Sequence, residues 1–545
     1  MVKPFRKQVG WILSAVAAVR MGSAVAEPRP NILMVVIDDT DLSMLSCGGK
    51  DPRLMPTLHR LSKEGMLFTN AHTASTVCTP SRFAFQTGLY AGRARSAEFL
   101  KENPVSEPYN LHFNVSIDEQ TPTLARALVA AGYQTGFSGK WHVGRPLADF
   151  GLPLFQPNDD PADPAVDERL RLYQRTMVTE LKKTAGYEYA ASVFWGNANE
   201  GAFPKAVQHH HLEWITKGFL DFMGQRDRSR PFCFSLNPTV MHGPNFEVAL
   251  KQPINQTQGG RMDGLDRVQA SRRSLYERLA AAGQPVNHTT LAFLWLDDML
   301  RAVFDRLEQD GVYQNTMVAF MPDHGNYPHK ATCYNQGSLV PLLIRWPGRV
   351  PENAGCDALV SSVDLAATFL AAAGVADSAA GRDGVSLLPL FEDPTAEVRD
   401  KVFCEFGYGR FVRDRRWSYI ALRYPSPLIE AMQSGETDEA YSLMGSWHNL
   451  QVIAYLGHPD MLEADQLFDL QNDPTEKENR AHDPEAASEL RRMKAALLKY
   501  TGSFQHPYPA DANVFQGSEK FKELVEAARG HTPPAWYGGG KEVKK

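Results

Sequence analysis

Six consecutive apolar residues, Ile32, Leu33, Met34, Val35, Val36 and Ile37, stop abruptly at Asp38-Asp39. A strand with one wet face alternates apolar and polar side chains, whereas an unbroken run belongs to a strand covered on both faces, as in a parallel sheet between helical layers. Two carboxylates at the end of such a strand are costly to bury unless a cation neutralises them. They therefore stand either in a solvated turn or against positive charge.

The same arrangement recurs along the chain. Thr121-Pro122 opens a helix that Gly132 closes, and residues 133–137 read as a strand running into Ser138-Gly139-Lys140-Trp141-His142. Residues 232–236 form another strand, followed by Asn237-Pro238 and a loop carrying His242-Gly243-Pro244. An amphipathic helix over 287–309, with Leu291, Leu294, Met299, Val303 and Leu307 on one side, leads through Gly311 into a strand at 317–321 that ends in Pro322-Asp323-His324-Gly325. Helices alternating with apolar strands predict an α/β fold, a large doubly wound mixed sheet flanked by helices. Ligands of such sheets bind outside the carboxyl ends of the strands, where four groups of polar residues fall here.

Composition and charge set limits on function. The 545 residues carry 57 Lys+Arg against 63 Asp+Glu, a net charge of -6, which lacks the basic footprint of a nucleic-acid binder. Lys3, Arg6 and Lys7, the apolar stretch 11–19 and Ala24-Val25-Ala26 read as a signal peptide over 1–26. That predicts an exported protein, periplasmic or secreted, and lysosomal or extracellular in a eukaryote. No later segment has the length and apolarity for stable membrane insertion. The principal α/β domain is expected over 27–395. A smaller C-terminal α+β subdomain is expected over 396–500, with strands at 402–406, 417–422 and 466–470 and a helix at 484–500, before a poorly ordered tail at 501–545. Residues 149–167 and 251–273 show no clear periodicity and read as inserted loops. His209-His210-His211 reads as a loop lining a pocket, because three adjacent side chains cannot all face one ion on a regular element.

Cys78-Thr79-Pro80-Ser81-Arg82 begins a short helix running through Gln86 and stopped by Gly88. A cysteine in that first turn faces free backbone N–H groups and the positive end of the helix dipole, an environment that favours a thiolate and attracts anions. The alternative is a buried structural cysteine.

These residues resemble the sulfatases of the alkaline phosphatase superfamily, whose maturation signature Cys-x-Pro-x-Arg is met by Cys78, Pro80 and Arg82 and continued by Thr87-Gly88-Leu89-Tyr90 and Arg93. The resemblance runs from Asn31 to about Asp483. It includes Gly139-Lys140-Trp141-His142, Asp323-His324-Gly325, Pro341-Leu342-Leu343-Ile344-Arg345-Trp346-Pro347-Gly348 and the late Leu467-Phe468-Asp469-Leu470. It implies that a formylglycine-generating enzyme oxidises Cys78 to formylglycine, whose hydrated aldehyde is the nucleophile.

The resemblance further implies that Asp38, Asp39, Asp323 and His324, together with the modified Cys78, surround a metal ion. Carboxylates are hard donors that suit Ca2+, ahead of Mg2+ or Mn2+. His324 stands where many family members have Asn. Arg82 and Lys140 would stabilise the deprotonated hydrate, and His142 would take a proton from its second hydroxyl. His242 would protonate the departing alcohol oxygen. Lys330, in Lys330-Ala331-Thr332-Cys333-Tyr334, would contact the sulfate and share that acid role.

The expected activity is hydrolysis of an alcohol sulfate, with a sulfated sugar as substrate. Two alternatives are a phosphonate or phosphate ester hydrolase and a catalytically silent glycan-binding protein. With Cys78 converted, Cys47, Cys233, Cys333, Cys356 and Cys404 remain, which permits at most two disulfides and leaves a free thiol.

Overall fold

The computed structural model describes residues 29–41, 53–199, 203–326, 329–375, 378–433, 454, 457–461 and 463–510. The expected signal peptide, Cys47 and residues 511–545 of the expected tail lie outside them. None of the helices described is long and apolar enough to cross a membrane.

Strands β1 (Asn31–Ile37), β2 (Met66–His72), β3 (Gln134–Lys140), β4 (Tyr189–Phe194) and β5 (Phe232–Asn237) come first in the chain. A small hairpin, β6 (Gln256–Thr257) and β7 (Gly260–Arg261), precedes β8 (Thr316–Pro322), β9 (Leu339–Arg345), β10 (Ala354–Cys356) and β11 (Val360–Ser361). The main sheet has the order β10-β2-β9-β8-β1-β5-β3-β4, with β11 also on β2. Strand β9 runs against its neighbours β2 and β8, and the other pairings of this sheet are parallel. The expected large mixed sheet flanked by helices is what forms.

The unbroken apolar run of β1 has a direct cause. Leu33, Val35 and Ile37 enter one core with the helices Leu212–Gln225 and His288–Gln309, while Ile32, Met34 and Val36 enter a second core on the opposite face with the helix Asp364–Ala372. A strand buried on both faces leaves polar groups one place to go, its ends. Because β1, β3, β5 and β8 are mutually parallel, their carboxyl ends share one edge, and Asp323 N donates to Ile37 O at 2.8 Å to align the ends of β1 and β8.

A second sheet is antiparallel, β12 (Val402–Phe406), β13 (Gly409–Arg413), β14 (Trp417–Leu422) and β15 (Asp465–Asp469), in that order. The helix Ala487–Thr501 shares a core with it. Buried Glu405 on β12 accepts hydrogen bonds from Gly92 N at 2.7 Å and from the Tyr109 hydroxyl, tying this sheet to the segment that follows Cys78.

Three expectations need correction. Residues 149–167 are not loop throughout. Asp163 caps the helix Pro164–Ala185, whose Val166, Leu170, Tyr173, Met177 and Leu181 are buried at helical spacing, so the Pro/Asp-rich stretch is partly a helix start. Residues 251–273 hold the β6/β7 hairpin, a 3-10 turn at Leu265–Arg267 and the first residues of the helix Arg272–Ala281. Residues 502–510 are docked rather than loose, with His506 and Tyr508 buried. The five described cysteines are all buried free thiols.

Helix α1 (Pro56–Lys63) is capped from a distance. Met55 offers no side-chain cap, and Asp297 of the helix His288–Gln309 accepts from Thr57 N at 3.0 Å and Leu58 N at 2.9 Å. Burial pushes the Asp297 carboxyl up to about 6. Asp297→Ala should strand both amides and cost roughly 1–3 kcal/mol. Urea unfolding should show a lower midpoint with an unchanged slope.

Candidate active site

Helix α2 (Cys78–Thr87) points its first turn at the shared carboxyl edge of the main sheet. Cys78, 1% exposed, lies with its Sγ 3.2 Å from His324 Nε2 and 3.7 Å from Asp38 Oδ1. One turn on, Arg82 sends Nε to Asp323 Oδ2 at 2.9 Å and a terminal nitrogen to Asp38 Oδ2 at 3.3 Å. Lys140, the last residue of β3, sets its Nζ 2.7 Å from the same Asp38 oxygen and 2.6 Å from Asn197 Oδ1. Ser81 Oγ donates to the Asp323 carbonyl, which locks α2 onto the end of β8.

Asp39 faces a second cation. Its Oδ1 is 2.7 Å from Lys330 Nζ and 3.3 Å from His324 Nδ1, and its Oδ2 is 3.8 Å from His242 Nε2. His242 Nδ1 lies 2.9 Å from the Gly243 carbonyl. A carbonyl only accepts, so Nδ1 carries the hydrogen and the Nε2 lone pair is left toward the site. His142 stacks on Phe113 at 5.4 Å and meets the edge of Trp195 at 5.0 Å, and its Nδ1 has no hydrogen-bond partner. Asp39, His142 and Ala331 take positive φ of 47°, 54° and 63°, a left-handed backbone that costs a non-glycine residue energy and tends to persist at functional sites.

Charge dictates the protonation pattern. Burial alone would raise the Asp38 carboxyl, but the Lys140 ammonium and Arg82 guanidinium overcome it and hold that group well below the usual carboxylate range. Burial likewise opposes ionisation of Asp39, which Lys330 reverses. Asp323 goes the other way, pushed up by burial and by the Asp38 charge. Burial disfavours the His324 imidazolium, yet Asp323 and Cys78 raise it to about 9. His142 is driven well below its ordinary value by burial, then by Lys140 and Arg82, and His242 falls to about 4 through burial and Lys330.

These directions describe a pocket short of positive charge around Asp323. Asp38, Cys78, Asp323 and His324 each offer a ligand atom within 4.8 Å of the others, the one such group among the described residues. Asp323 Oδ1 is buried without a hydrogen-bond partner. An orphan carboxylate oxygen beside a raised imidazole fits a divalent cation, which would take the place of the imidazolium proton. Asp39 is not among the converging atoms. It stands against the Nδ1 side of the His324 ring, whereas the other three face Nε2.

The expected site residues Asp38, Asp39, Cys78, Arg82, Lys140, Asp323, His324, Lys330 and His242 thus meet at one edge, and His142 lies among Phe113 and Trp195 near them. The histidine run 209–211 is buried just before the helix Leu212–Gln225, beside a small cavity lined also by Phe194, Trp214, Thr239 and Gln258. Sequence reasoning gave no role to Asn197, which fixes Lys140, or to Asn237, whose Oδ1 lies 3.4 Å from an Arg82 nitrogen. Asn237 ends β5 on the same edge, and that position was the available signal.

Comparison with known proteins gives a consistent picture. The family model described as Sulfatase matches residues 30–375. The chain is 24% identical over 509 residues to the N-acetylglucosamine-6-sulfatase of Capra hircus, covering 88% of this chain and 85% of that protein. It is also 24% identical to an ulvan-active sulfatase of Formosa agariphila, over 88% and 80% of the two chains. Among solved structures, one determined in complex with its substrate D-glucosamine-2-N,6-O-disulfate superposes with a TM-score of 0.53 at 17% identity, covering 89% of this chain and all of that one.

The Asp38 clasp is open to a direct test. Asp38→Asn in metal-free protein should cost about 3–5 kcal/mol, because Lys140 and Arg82 are left buried against a neutral amide. Adding Lys140→Met should recover part of the loss, giving a coupling of roughly 1–3 kcal/mol in a double-mutant cycle read by chemical denaturation.

Proposed function

This chain belongs to the sulfatase family and is a sulfuric ester hydrolase, and we propose that it releases sulfate from a sulfated sugar through a formylglycine made from Cys78. The position of Cys78 carries the reading. Its Sγ lies within 3.7 Å of both His324 Nε2 and Asp38 Oδ1, in the first turn of α2, where a structural cysteine would gain nothing from such neighbours. Relatives named for sulfated sugars support the substrate class.

Formylglycine at this position supplies a hydrated aldehyde whose hydroxyl attacks the ester sulfur. Asp38, Cys78, Asp323 and His324 would hold a divalent cation, Ca2+ ahead of Mg2+ or Mn2+, which supplies positive charge for the sulfate oxygens. Asp39, on the Nδ1 side of the His324 ring, is the fifth residue of the implied set.

The chain's own residues do the rest. Arg82 and Lys140 both sense charge at Cys78, so they stabilise negative charge developing there. His142, kept neutral by burial and by those two cations, is a base able to take a proton when sulfate leaves. His242 turns Nε2 to the site and delivers a proton to the departing alcohol oxygen. An anionic ester beside it would favour the imidazolium that burial and Lys330 oppose. Lys330 sits across Asp39 from His242, placed to bind a sulfate oxygen and share the acid role.

Two predictions follow from this assignment. Protein made alongside a formylglycine-generating enzyme should yield a Cys78 tryptic peptide with the mass of an aldehyde. Ion chromatography should detect sulfate from N-acetylglucosamine 6-sulfate, D-glucosamine-2-N,6-O-disulfate or ulvan oligosaccharides, and Cys78→Ala should lower that rate by at least about a thousandfold. An unmodified thiol with full activity, or phosphate released from phosphate esters with no sulfate released, would refute the reading. In the second test, Ca2+ added to chelator-treated protein at about 100 times its Kd should stabilise the fold by about 2.7 kcal/mol, and Asp323→Asn should abolish that shift in thermal unfolding.

A further inference from the structure

The loop that carries His242 leaves β5 at Asn237 and is gripped from two sides. On one side it is zipped to the end of β1, with Asp38 N donating to Val240 O and Met241 N donating to Asp38 O, each at 2.6 Å. On the other side stands His210, a residue from the histidine run that no part of the mechanism uses. Its Nδ1 is 2.7 Å from Thr239 Oγ1 and its Nε2 is 2.9 Å from the Pro244 carbonyl. The ring lies parallel to Phe246, 4.0 Å between centroids at 3°. Phe246 is itself set by a hydrogen bond from its N–H to His288 Nδ1 at 3.3 Å.

The geometry fixes a hydrogen on one ring nitrogen, and in the neutral ring it fixes the roles of both. The Pro244 carbonyl only accepts, so His210 Nε2 carries the hydrogen, and Nδ1 is then the acceptor for the Thr239 hydroxyl. His210 is 1% exposed, and burial, followed by the His288 charge, drives its pKa well below the ordinary value, so it stays a neutral clasp. Its two partners lie three residues before and two residues after His242. Within that span, His242 itself contacts Gly243 O through Nδ1 and approaches Asp39 through Nε2.

We propose that His210 is a positioning residue for the reaction, closing both ends of the 239–244 loop so that His242 Nε2 is held at the departing alcohol oxygen. The inference rests on the role given to His242 above. It acts on bond breaking and not on sulfate binding, since His210 touches neither the cations nor the carboxylates of the site. A donor misplaced by about an ångström can cost about a hundredfold in rate.

The dependence on the leaving group isolates that role. A sugar alcohol is a poor leaving group that needs the proton, whereas 4-nitrophenol leaves well without one. His210→Phe keeps the flat ring against Phe246 and removes both hydrogen bonds. It should lower kcat for the panel sugar sulfate that wild type turns over fastest by about 10- to 100-fold, with KM within about threefold. Turnover of 4-nitrophenyl sulfate should stay within about threefold of wild type. His210→Gln, which can still donate to Pro244, should recover part of the sugar-sulfate rate.

Equal losses on both substrates, or no loss on either, would overturn the inference. His242→Ala is measured alongside. Should that variant lose both substrates equally, the acid role of His242 fails. Selective loss in His242→Ala without selective loss in His210→Phe removes His210 alone.

Discussion

Asp38 Oδ2 holds Lys140 and Arg82 at once, with all three side chains shut away from water. Removing any one of them leaves a buried charge without an adequate partner, the costliest defect a core can carry. The clasp also joins three separate elements, because Asp38 follows β1, Lys140 ends β3 and Arg82 belongs to α2. The relative placement of the two strands and the helix is therefore set by electrostatics as much as by packing. Lys330 does the same for Asp39, bringing the segment after β8 to the same edge. The apolar cores on either face of β1 make this possible by confining the polar groups to the strand ends, where they pair with one another out of solvent.

Much of this was legible before any coordinates. A strand buried on both faces writes a local, continuous apolar signal, so β1, β5 and β8 could be read with their polar ends, and the Cys78 segment declared its own helix start and stop. The partners that orient the site were harder to read. Asn197 reaches Lys140 from 57 residues away, and His210 reaches Thr239 and Pro244 across 29 and 34 residues. Such contacts leave no periodic trace, because each depends on a single polar atom arriving where the fold delivers it. The helix Pro164–Ala185 was hidden for a different reason. Its capping residues Asp163 and Pro164 have the composition of a loop, and they were read with the loop before them.

The ligand set is the place where resemblance and geometry part. The family pattern puts Asp39 at the metal, while the free chain sets it against Lys330 and the Nδ1 side of His324. The Nε2 side gathers Asp38, Cys78 and Asp323. Within the cluster, Asp323 and Cys78 favour the His324 imidazolium, and Lys330 favours the ionised Asp39. A divalent cation held by these residues would compete with a proton at His324 Nε2.

The near-complete enclosure of Cys78 would place a deadline on the proposed maturation. At 1% exposure the thiol is enclosed in the folded chain, so under the proposed conversion to formylglycine a modifying enzyme would have to reach it before folding is complete. Some of the ties around the segment following α2 close late in the chain: Tyr90 and Arg93 bond to Asp383, Gly92 and Tyr109 to Glu405, and Arg93 also to Ser503, across 290 to 410 residues.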